Sequence, residues 1–388
     1  MIFSWSSFFA SAIAISSLAV MFLFLLRRNR IISQYGIICL YIFSILIILR
    51  GCLPFEFNNV YGIRFTKTYN SISILPALRD FVMADLFYID GKSVTLRKIL
   101  TAVWIVGMIA NMGKLLYNFL SCKKELACMP KADPPEILSA FDKAFSHVFP
   151  GKAPHCTVVN SDMFGTAVIW GVRNPVIVLP NVEYSGRELY CVFLHELFHL
   201  KHRDNLIKML CCLLAAVHWW NPFISRLLIS TVNQVQELLA DYQVGRSLNA
   251  EETIDYLECI KKSAAHTIST GIDRMSLHAL GNGNRRRNIL QRFKLIMERN
   301  VTGYTVKGIV LAGLFFLMSF TFVFEPCYNN SYDENGNEVF NYFEFRNDNY
   351  YIKNGTKYDL YLNDRYVYTF ETIVDEFKDL PIYEEEKK

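Results

Sequence analysis

The chain has 388 residues, of which 52% are hydrophobic and 14% aromatic, and its mean hydropathy is +0.20. These values are high for a soluble enzyme of this length and indicate a membrane protein. The net charge of +4 combines +11 over residues 1–327 with −7 over residues 328–388, so the charge gives no reason to expect nucleic-acid binding.

Four apolar stretches predict transmembrane helices, because a helix needs about 20 residues to cross the hydrocarbon core. They cover residues 1–26, 31–49, 99–120 and 306–324. A basic cluster follows the first stretch instead of preceding it, which argues against a cleaved signal peptide. We therefore expect a membrane region at 1–120 with three helices and an outer loop at about 50–97, and a fourth helix at 306–325.

The basic cluster at residues 27–30 sets the orientation, since Lys and Arg mark the cytoplasmic side of a membrane. It places the amino terminus outside and, by alternation, residues 121–305 in the cytoplasm. A second basic run at 285–299 precedes the fourth helix on that same side. The acidic tail, residues 326–388, is then extracytoplasmic.

The ten cysteines form no CxxC pair and predict no thiolate metal site. Cys52 and Cys327 both lie at predicted outer ends of membrane helices. One hypothesis is that they form a disulfide, and the other is that they serve only as two small apolar residues at the membrane edge.

The cytoplasmic region begins with a proline-marked linker and an amphipathic helix at 137–148. Two β-branched runs, 166–170 and 176–179, flank turn residues and predict a hairpin. This hairpin either has a purely structural role or offers an edge strand to an extended peptide, and the sequence favours neither.

A helix with capping-box spacing at Ser185 and Glu188 carries the motif His195-Glu196-Leu197-Phe198-His199. Histidines four residues apart share one helix face and can bind the same Zn²⁺ ion, and Glu196 is then the expected general base. An ordinary amphipathic helix is the alternative, but it does not account for this spacing.

A catalytic zinc site needs a third protein ligand and an open position for water. Glu237 is the candidate, on a helix predicted from Pro222, with Asn221 as N-cap, to Gly245 as a left-handed stop. Asp241, one turn later, is a candidate to accept the second ring proton of a ligand histidine. Spacing alone leaves open that both carboxylates are solvated.

The apolar stretch 206–220 is too short for a comfortable span, so we predict a helix packed at or dipping into the inner membrane surface. Asp204 is interpreted as the N-cap of a helix beginning near Asn205. His218 is interpreted as a structural histidine, with stabilisation of an oxyanion as the alternative.

The ordered motifs His195–His199, Asp204, His218-Trp219-Trp220-Asn221-Pro222 and Glu237–Asp241 resemble the BlaR/MecR type of membrane metallopeptidase, the β-lactam-sensing antirepressors. The segment GVRNPVIVLP at 171–180 resembles the hairpin of that family, and the four-span layout is similar. The resemblance implies a predominantly α-helical, multi-pass protein of the bacterial cell membrane with a cytoplasmic α+β gluzincin-like zinc protease domain at 121–305. It also implies cleavage of a cytoplasmic regulator such as a winged-helix transcriptional repressor, without direct nucleic-acid contact.

One departure concerns the outer part of the chain. The antirepressor receptors carry a large penicillin-binding domain with a Ser-x-x-Lys nucleophile, whereas residues 326–388 contain no such motif. We therefore expect no direct β-lactam sensing. Alternating residues at 358–362 and 366–370 predict a small β-structure instead.

Two other functions remain open from the sequence. One is a housekeeping membrane protease similar to the HtpX and CAAX-prenyl-protease group, which shares an HExxH and a later Glu-x-x-x-Asp. The other is a non-enzymatic receptor with a structural zinc site, which would not require Glu196. An intramembrane protease of the site-2 kind fits less well, because we find no Leu-Asp-Gly ligand motif.

Overall fold

The computed structural model describes residues 5–53, 81–82, 84–89, 92–161, 165–270, 285–297, 302–321, 331–332, 338–339, 350–354, 357–362, 365–373 and 380–384. The chain divides into two units, each described by itself. The described residues up to 321 belong to the first unit, and those from 331 onward belong to the second.

The first unit is mainly helical. Its helices are α1 (Trp5–Leu26), α2 (Asn29–Tyr35), α3 (Ile37–Cys52), α4 (Leu96–Ala127), α5 (Pro135–Val148), α6 (Gly186–His202), α7 (Asp204–Val217), α8 (Ile229–Ser247), α9 (Ala250–Thr270), α10 (Arg285–Met297) and α11 (Val306–Thr321). A π-helical turn, Phe223–Leu228, precedes α8. The strands are β1 (Asp85–Ile89), β2 (Lys92–Thr95), β3 (Thr157–Asn160), β4 (Val168–Trp170) and β5 (Val176–Leu179).

Within the described residues, α4 is long and apolar enough to cross a membrane by itself. Ser11–Leu26 and Asn29–Tyr35 would supply a second span if this pair, bent by 96°, is counted together. The apolar helices Ile37–Cys52 and Val306–Phe320 are shorter. Helices therefore lie at all four predicted positions, but by length and composition only one or two of those described could span, and a count of four stays a prediction.

The predicted second span, 31–49, is not one continuous helix. The chain breaks at Gly36, which separates α2 from α3 and has φ 94°. A Cβ at this position would lie 2.5 Å from the carbonyl oxygen of Gly303, and that same oxygen accepts a hydrogen bond from the backbone N–H of Ile38 at 2.9 Å. The break therefore arises from the close approach of a distant segment of the chain.

The predicted hairpin is confirmed, because β4 pairs antiparallel with β5 and Val168 lies opposite Val178. A third strand, β3, which the sequence did not indicate, pairs parallel with β5 on its other side. The sheet order is β3-β5-β4, so β4 is an edge strand.

Two of the predicted helices of the site region are confirmed. Helix α5 covers the expected amphipathic segment, and its Phe141 packs edge-to-face on Phe193 of α6. Helix α6 starts with the predicted capping box, in which Ser185 and Glu188 bond reciprocally to each other's backbone N–H groups.

The helix predicted from Pro222 to Gly245 differs at its end. Asn221 caps its start as expected, since its Oδ1 accepts the N–H of Phe223 at 3.0 Å. The stop at Gly245 is wrong, because α8 continues to Ser247 and ends at Leu248, whose backbone is extended. An extended exit does not need a residue with positive φ, so no glycine is required there.

Helix α7 packs against the apolar helices α3 and α4. Trp104 of α4 donates its indole N–H to the carbonyl of Val217 at 2.9 Å. A Cβ added to Gly51 of α3 would lie 2.6 Å from the Leu214 side chain. Helix α7 therefore packs along two apolar helices, and its predicted location at the inner membrane surface stays a prediction.

The second unit contains the strands β6 (Ser331–Tyr332), β7 (Glu338–Val339), β8 (Tyr350–Asn354), β9 (Lys357–Leu362), β10 (Arg365–Phe370) and β11 (Ile382–Glu384). Four of them form a sheet of order β10-β9-β8-β11, and β9 pairs antiparallel with β10, which confirms the predicted β-structure of the tail. Residues 54–80, most of the predicted outer loop, lie outside the described residues. So does Cys327, and with it the proposed disulfide.

Candidate metal centre

The ligand atoms of His195, His199 and Glu237 all lie within 4.8 Å of one another. The two Nε2 atoms are 3.1 Å apart, and the Glu237 oxygens lie 3.4 Å from the first and 3.6 Å from the second. Neighbouring ligands of a tetrahedral zinc ion are about 3.3 Å apart when each bond is about 2.0–2.1 Å. The two nitrogens and the carboxylate thus fit zinc in chemistry and in spacing.

Two helices bring these side chains together. His195 and His199 lie one turn apart on α6 and are both buried, whereas Glu237 comes from α8. Ala240 and Val244 of α8 are fully buried in the same apolar core as residues of α6, which holds the two helices in contact. Glu237 therefore faces the histidine pair from across a packed helix interface.

The Nδ1 atom of His199, which faces away from the centre, contacts Asp204, whose Oδ2 lies at 2.6 Å. Asp204 is 1% exposed, and its Oδ1 accepts the hydroxyl of Tyr41 at 2.9 Å. Burial lowers the pKa of His199, but the Asp204 hydrogen bond and the nearby carboxylates outweigh it, so the pKa is raised.

The N-cap role predicted for Asp204 is wrong. Helix α7 begins at Asp204 itself, and its cap position is Arg203, whose side chain makes no capping hydrogen bond. Arg203 has φ 57°, in the left-handed region, and joins α6 directly to α7. This tight turn returns the Asp204 carboxylate to His199, one turn back on α6.

The hydroxyl of Tyr256 connects the Nδ1 atom of His195 to Asp241. Tyr256 of α9 donates its hydroxyl proton to Asp241 Oδ1 at 2.6 Å, and its oxygen lies 2.8 Å from His195 Nδ1. Asp241 Oδ1 is itself 3.5 Å from that nitrogen. Burial raises the pKa of Tyr256 well above its usual range, so the hydroxyl stays protonated and its oxygen accepts the Nδ1 proton. With the proton on Nδ1, each histidine would offer the lone pair of its Nε2 atom to a bound metal ion.

Sequence reasoning missed Tyr256 and Arg292. Arg292 of α10 contacts both Glu237 and Asp241, whereas in the sequence the basic run that contains it indicates only the cytoplasmic side. Neither residue stands at a motif spacing from His195 or Glu237, so no local signal could have identified either one.

Glu196 is buried beside the histidines and is fixed by the edge strand. Its Oε2 accepts the backbone N–H of Ile169 in β4 at 2.8 Å. Asn205 donates to the carbonyls of Ile169 and Gly171, each at 3.0 Å, and so ties β4 to the start of α7. Burial raises the pKa of Glu196, while the two neighbouring histidines act in the opposite direction.

His218 occupies a different environment. It is 2% exposed, stacks on Phe8 of α1 with ring centroids 4.8 Å apart, and its Nδ1 lies 3.2 Å from the Leu214 carbonyl. These contacts favour the structural interpretation over a role in stabilising an oxyanion.

Comparison with known proteins adds a family to this geometry. Residues 7–296 match the family described as BlaR1 peptidase M56. The regulatory protein BlaR1 of Bacillus licheniformis is 31% identical over 164 residues, which cover 42% of this chain and 27% of that protein. The methicillin resistance mecR1 protein of Staphylococcus aureus is 30% identical over 113 residues, which cover 28% of this chain and 19% of that protein. The matched segments thus span at most 27% of the length of these two relatives.

Proposed function

Because the chain belongs to the BlaR1 peptidase M56 family, we propose that it is a membrane-embedded zinc endopeptidase of a signalling system. His195, His199 and Glu237 hold the metal, and Glu196 is the general base. The observation that carries this proposal is the convergence of three ligand atoms within 4.8 Å, beside a buried carboxylate on the same helix.

A bound zinc ion would act as a Lewis acid that activates water and polarises the scissile carbonyl. Glu196 takes the proton of the attacking water and passes it to the leaving amine. Its raised pKa suits both transfers, because a base that must later act as an acid needs a pKa nearer to neutrality. The N–H of Ile169 holds this carboxylate in position.

The geometry of β4 bears on how a peptide could bind. In an antiparallel edge strand, alternate residues direct their N–H and C=O groups away from the sheet. At Ile169 these two groups are already bonded to Glu196 and Asn205. The hairpin therefore has a positioning role at this residue, and a substrate strand would have to pair elsewhere along the edge or replace these bonds.

The membrane part of the proposal is supported by the surface of α4. Several large apolar side chains along it are more than half exposed, including Val106 at 66%, Ile109 at 62% and Leu116 at 58%. A bilayer would cover such an apolar face, whereas its exposure to water along a long helix would be unfavourable. The four-span topology, the cytoplasmic site and the extracytoplasmic termini belong to this proposal.

The proposed substrate is a cytoplasmic regulator, such as a winged-helix transcriptional repressor. The relatives are named as a regulatory protein and a methicillin resistance protein, which favours signalling over housekeeping proteolysis. The purified enzyme should cleave a repressor encoded beside its own gene. If an unrelated membrane protein were cut equally well, the housekeeping alternative would be favoured.

The test compares the wild type with Glu196→Gln and Glu237→Ala, purified in detergent, for zinc content and for cleavage of itself or of the repressor. Glutamine keeps a carbonyl oxygen for the Ile169 N–H, so Glu196→Gln should fold and retain zinc while cleavage falls by roughly 10²–10⁴-fold. Glu237→Ala should lose both zinc and cleavage.

The matched control is Glu183→Ala, which removes an exposed carboxylate just before α6. It should behave as the wild type does. Cleavage that survives in Glu196→Gln would refute the assigned base, and a wild type without zinc would refute the metallopeptidase.

A further inference from the structure

Helix α10 brings a guanidinium to both carboxylates of α8. Arg292 Nη1 lies 3.0 Å from Glu237 Oε2, while its Nε and Nη2 lie 2.7 and 2.8 Å from the two oxygens of Asp241. The side chains are largely buried, with 18% of Arg292, 24% of Glu237 and 3% of Asp241 exposed. All three guanidinium nitrogens are therefore engaged at one place.

This arrangement fixes two acidic side chains with one planar group. The guanidinium holds its nitrogens in a rigid fork, so a bidentate pair with Asp241 also fixes where the third nitrogen meets Glu237. The Glu237 oxygen in this contact, Oε2, is also the one that faces His195 Nε2 at 3.4 Å. Without the cation, two carboxylates one turn apart would repel each other in a poorly solvated site.

We infer that Arg292 is a positioning residue of the metal centre, which holds Glu237 in its ligand orientation and Asp241 against Tyr256 and His195. The inference rests on the proposed function. It also makes the metal centre dependent on α10, because Glu237 is held in its ligand orientation only when that helix places Arg292 beside it.

The position of α10 is set in turn by its neighbouring residue. Gln291 is buried, and its amide donates to the Leu26 carbonyl at 2.7 Å and to Asn29 Oδ1 at 3.0 Å. Its oxygen accepts from Gln234 of α8 at 2.6 Å. Leu26 ends α1, where helix carbonyls lack partners within the helix. Helix α10 is thus fastened to the bend between α1 and α2 on one side and to the metal centre on the other.

The first test measures zinc affinity of the full-length protein in detergent by competition with a chromogenic chelator. Arg292→Gln should bind zinc about 10–100-fold more weakly, as expected for loss of a group that orients a ligand. Arg292→Lys should recover part of this loss, because a lysine keeps the charge but cannot bridge both carboxylates. Arg287→Gln, an exposed position on the same helix, is the control and should bind as the wild type does.

The absorption spectrum of the Co²⁺-loaded protein gives a second readout that general destabilisation would not reproduce. Arg292→Gln should show a changed ligand field, since Glu237 is no longer held. A wild-type spectrum together with wild-type zinc affinity would overturn the inference, even if cleavage were reduced. A wild type that binds no zinc would instead overturn the proposed function.

Gln291→Leu tests the anchoring of α10 without touching any ligand. We expect a weaker zinc affinity than in the wild type, with a smaller loss than in Arg292→Gln. Wild-type affinity in this variant would show that the bend between α1 and α2 does not set the position of Arg292.

Discussion

Asp204 makes the shortest contact to either proposed histidine ligand and uses both of its oxygens. One lies 2.6 Å from His199 Nδ1, and the other accepts the Tyr41 hydroxyl at 2.9 Å. Such carboxylate partners fix the ring orientation and raise the basicity of a metal-binding histidine. We therefore expect Asp204 to be a determinant of metal affinity in the proposed centre.

Asp204→Asn should weaken zinc binding by about 10–100-fold. Asparagine replaces one carboxylate oxygen with an NH₂ donor, so either His199 or Tyr41 loses its acceptor. Chelator competition measures the effect, with Asp133→Asn, an exposed aspartate, as the control. Unchanged affinity in Asp204→Asn would mean that the contact does not orient the ring.

At the residue level, the site residues that could be predicted from the sequence are those that lie within short motifs. The spacing of His195, Glu196 and His199 on one helix is enough to predict their convergence, and the motif that begins at Glu237 supplied the candidate third ligand on a second helix. Tyr256 and Arg292 could not be found in this way, because their contacts depend on how α9 and α10 pack against α8.

At the level of elements, the same division holds. The capping box at Ser185 and the hairpin of β4 and β5 depend on neighbouring residues, and both were predicted. Strand β3 pairs in parallel with β5, from which β4 separates it in the chain, and the break at Gly36 depends on contact with Gly303. Periodicity and turn composition contain no information about either contact.

Two glycines in helical regions should respond oppositely to alanine. Gly36→Ala forces a side chain into a backbone conformation that costs about 1–3 kcal/mol and into contact with Gly303, so it should lower the thermal stability in detergent. Gly245 lies inside α8, and apart from its chain neighbours and the backbone of its own helix no described atom lies within 4 Å of an added Cβ. Gly245→Ala should therefore raise the free energy of unfolding by up to about 1 kcal/mol.

This pair also tests the end of α8. If Gly245 were a left-handed stop, as its sequence context first indicated, its alanine variant would lose stability instead of gaining it. A Gly36→Ala variant with the wild-type unfolding midpoint would contradict the close approach of the Gly303 segment.

At the scale of the first unit, α8 belongs to two apolar cores. Leu238 and Leu239 pack with the apolar helices α1, α3 and α7, whereas Ala240 and Val244 pack with α6. Glu237 therefore lies on a helix that both cores share. In the proposed signalling enzyme, a shift among the apolar helices would reach the third ligand through α8 as well as through α10.

The proposed topology can be tested with two native cysteines that it places on opposite sides of the membrane. Cys52, at the end of α3, and Cys128, just after α4, are both exposed. If α4 spans the membrane with its carboxyl end inside, a membrane-impermeant maleimide added to intact cells should modify Cys52 and leave Cys128 unmodified. Inverted vesicles should give the opposite pattern, measured for each site by peptide mass spectrometry.

Cys191 supplies the internal control for this labelling. It is 1% exposed, and burial raises the pKa of its thiol to about 12, so almost none of the reactive thiolate is present at neutral pH. It should stay unmodified in both preparations and react only after denaturation. Modification of Cys52 and Cys128 from the same side would contradict a single crossing by α4, and the reverse pattern would place the metal centre outside the cell. Because a cytoplasmic regulator can reach the centre only from inside, that result would also exclude the proposed substrate.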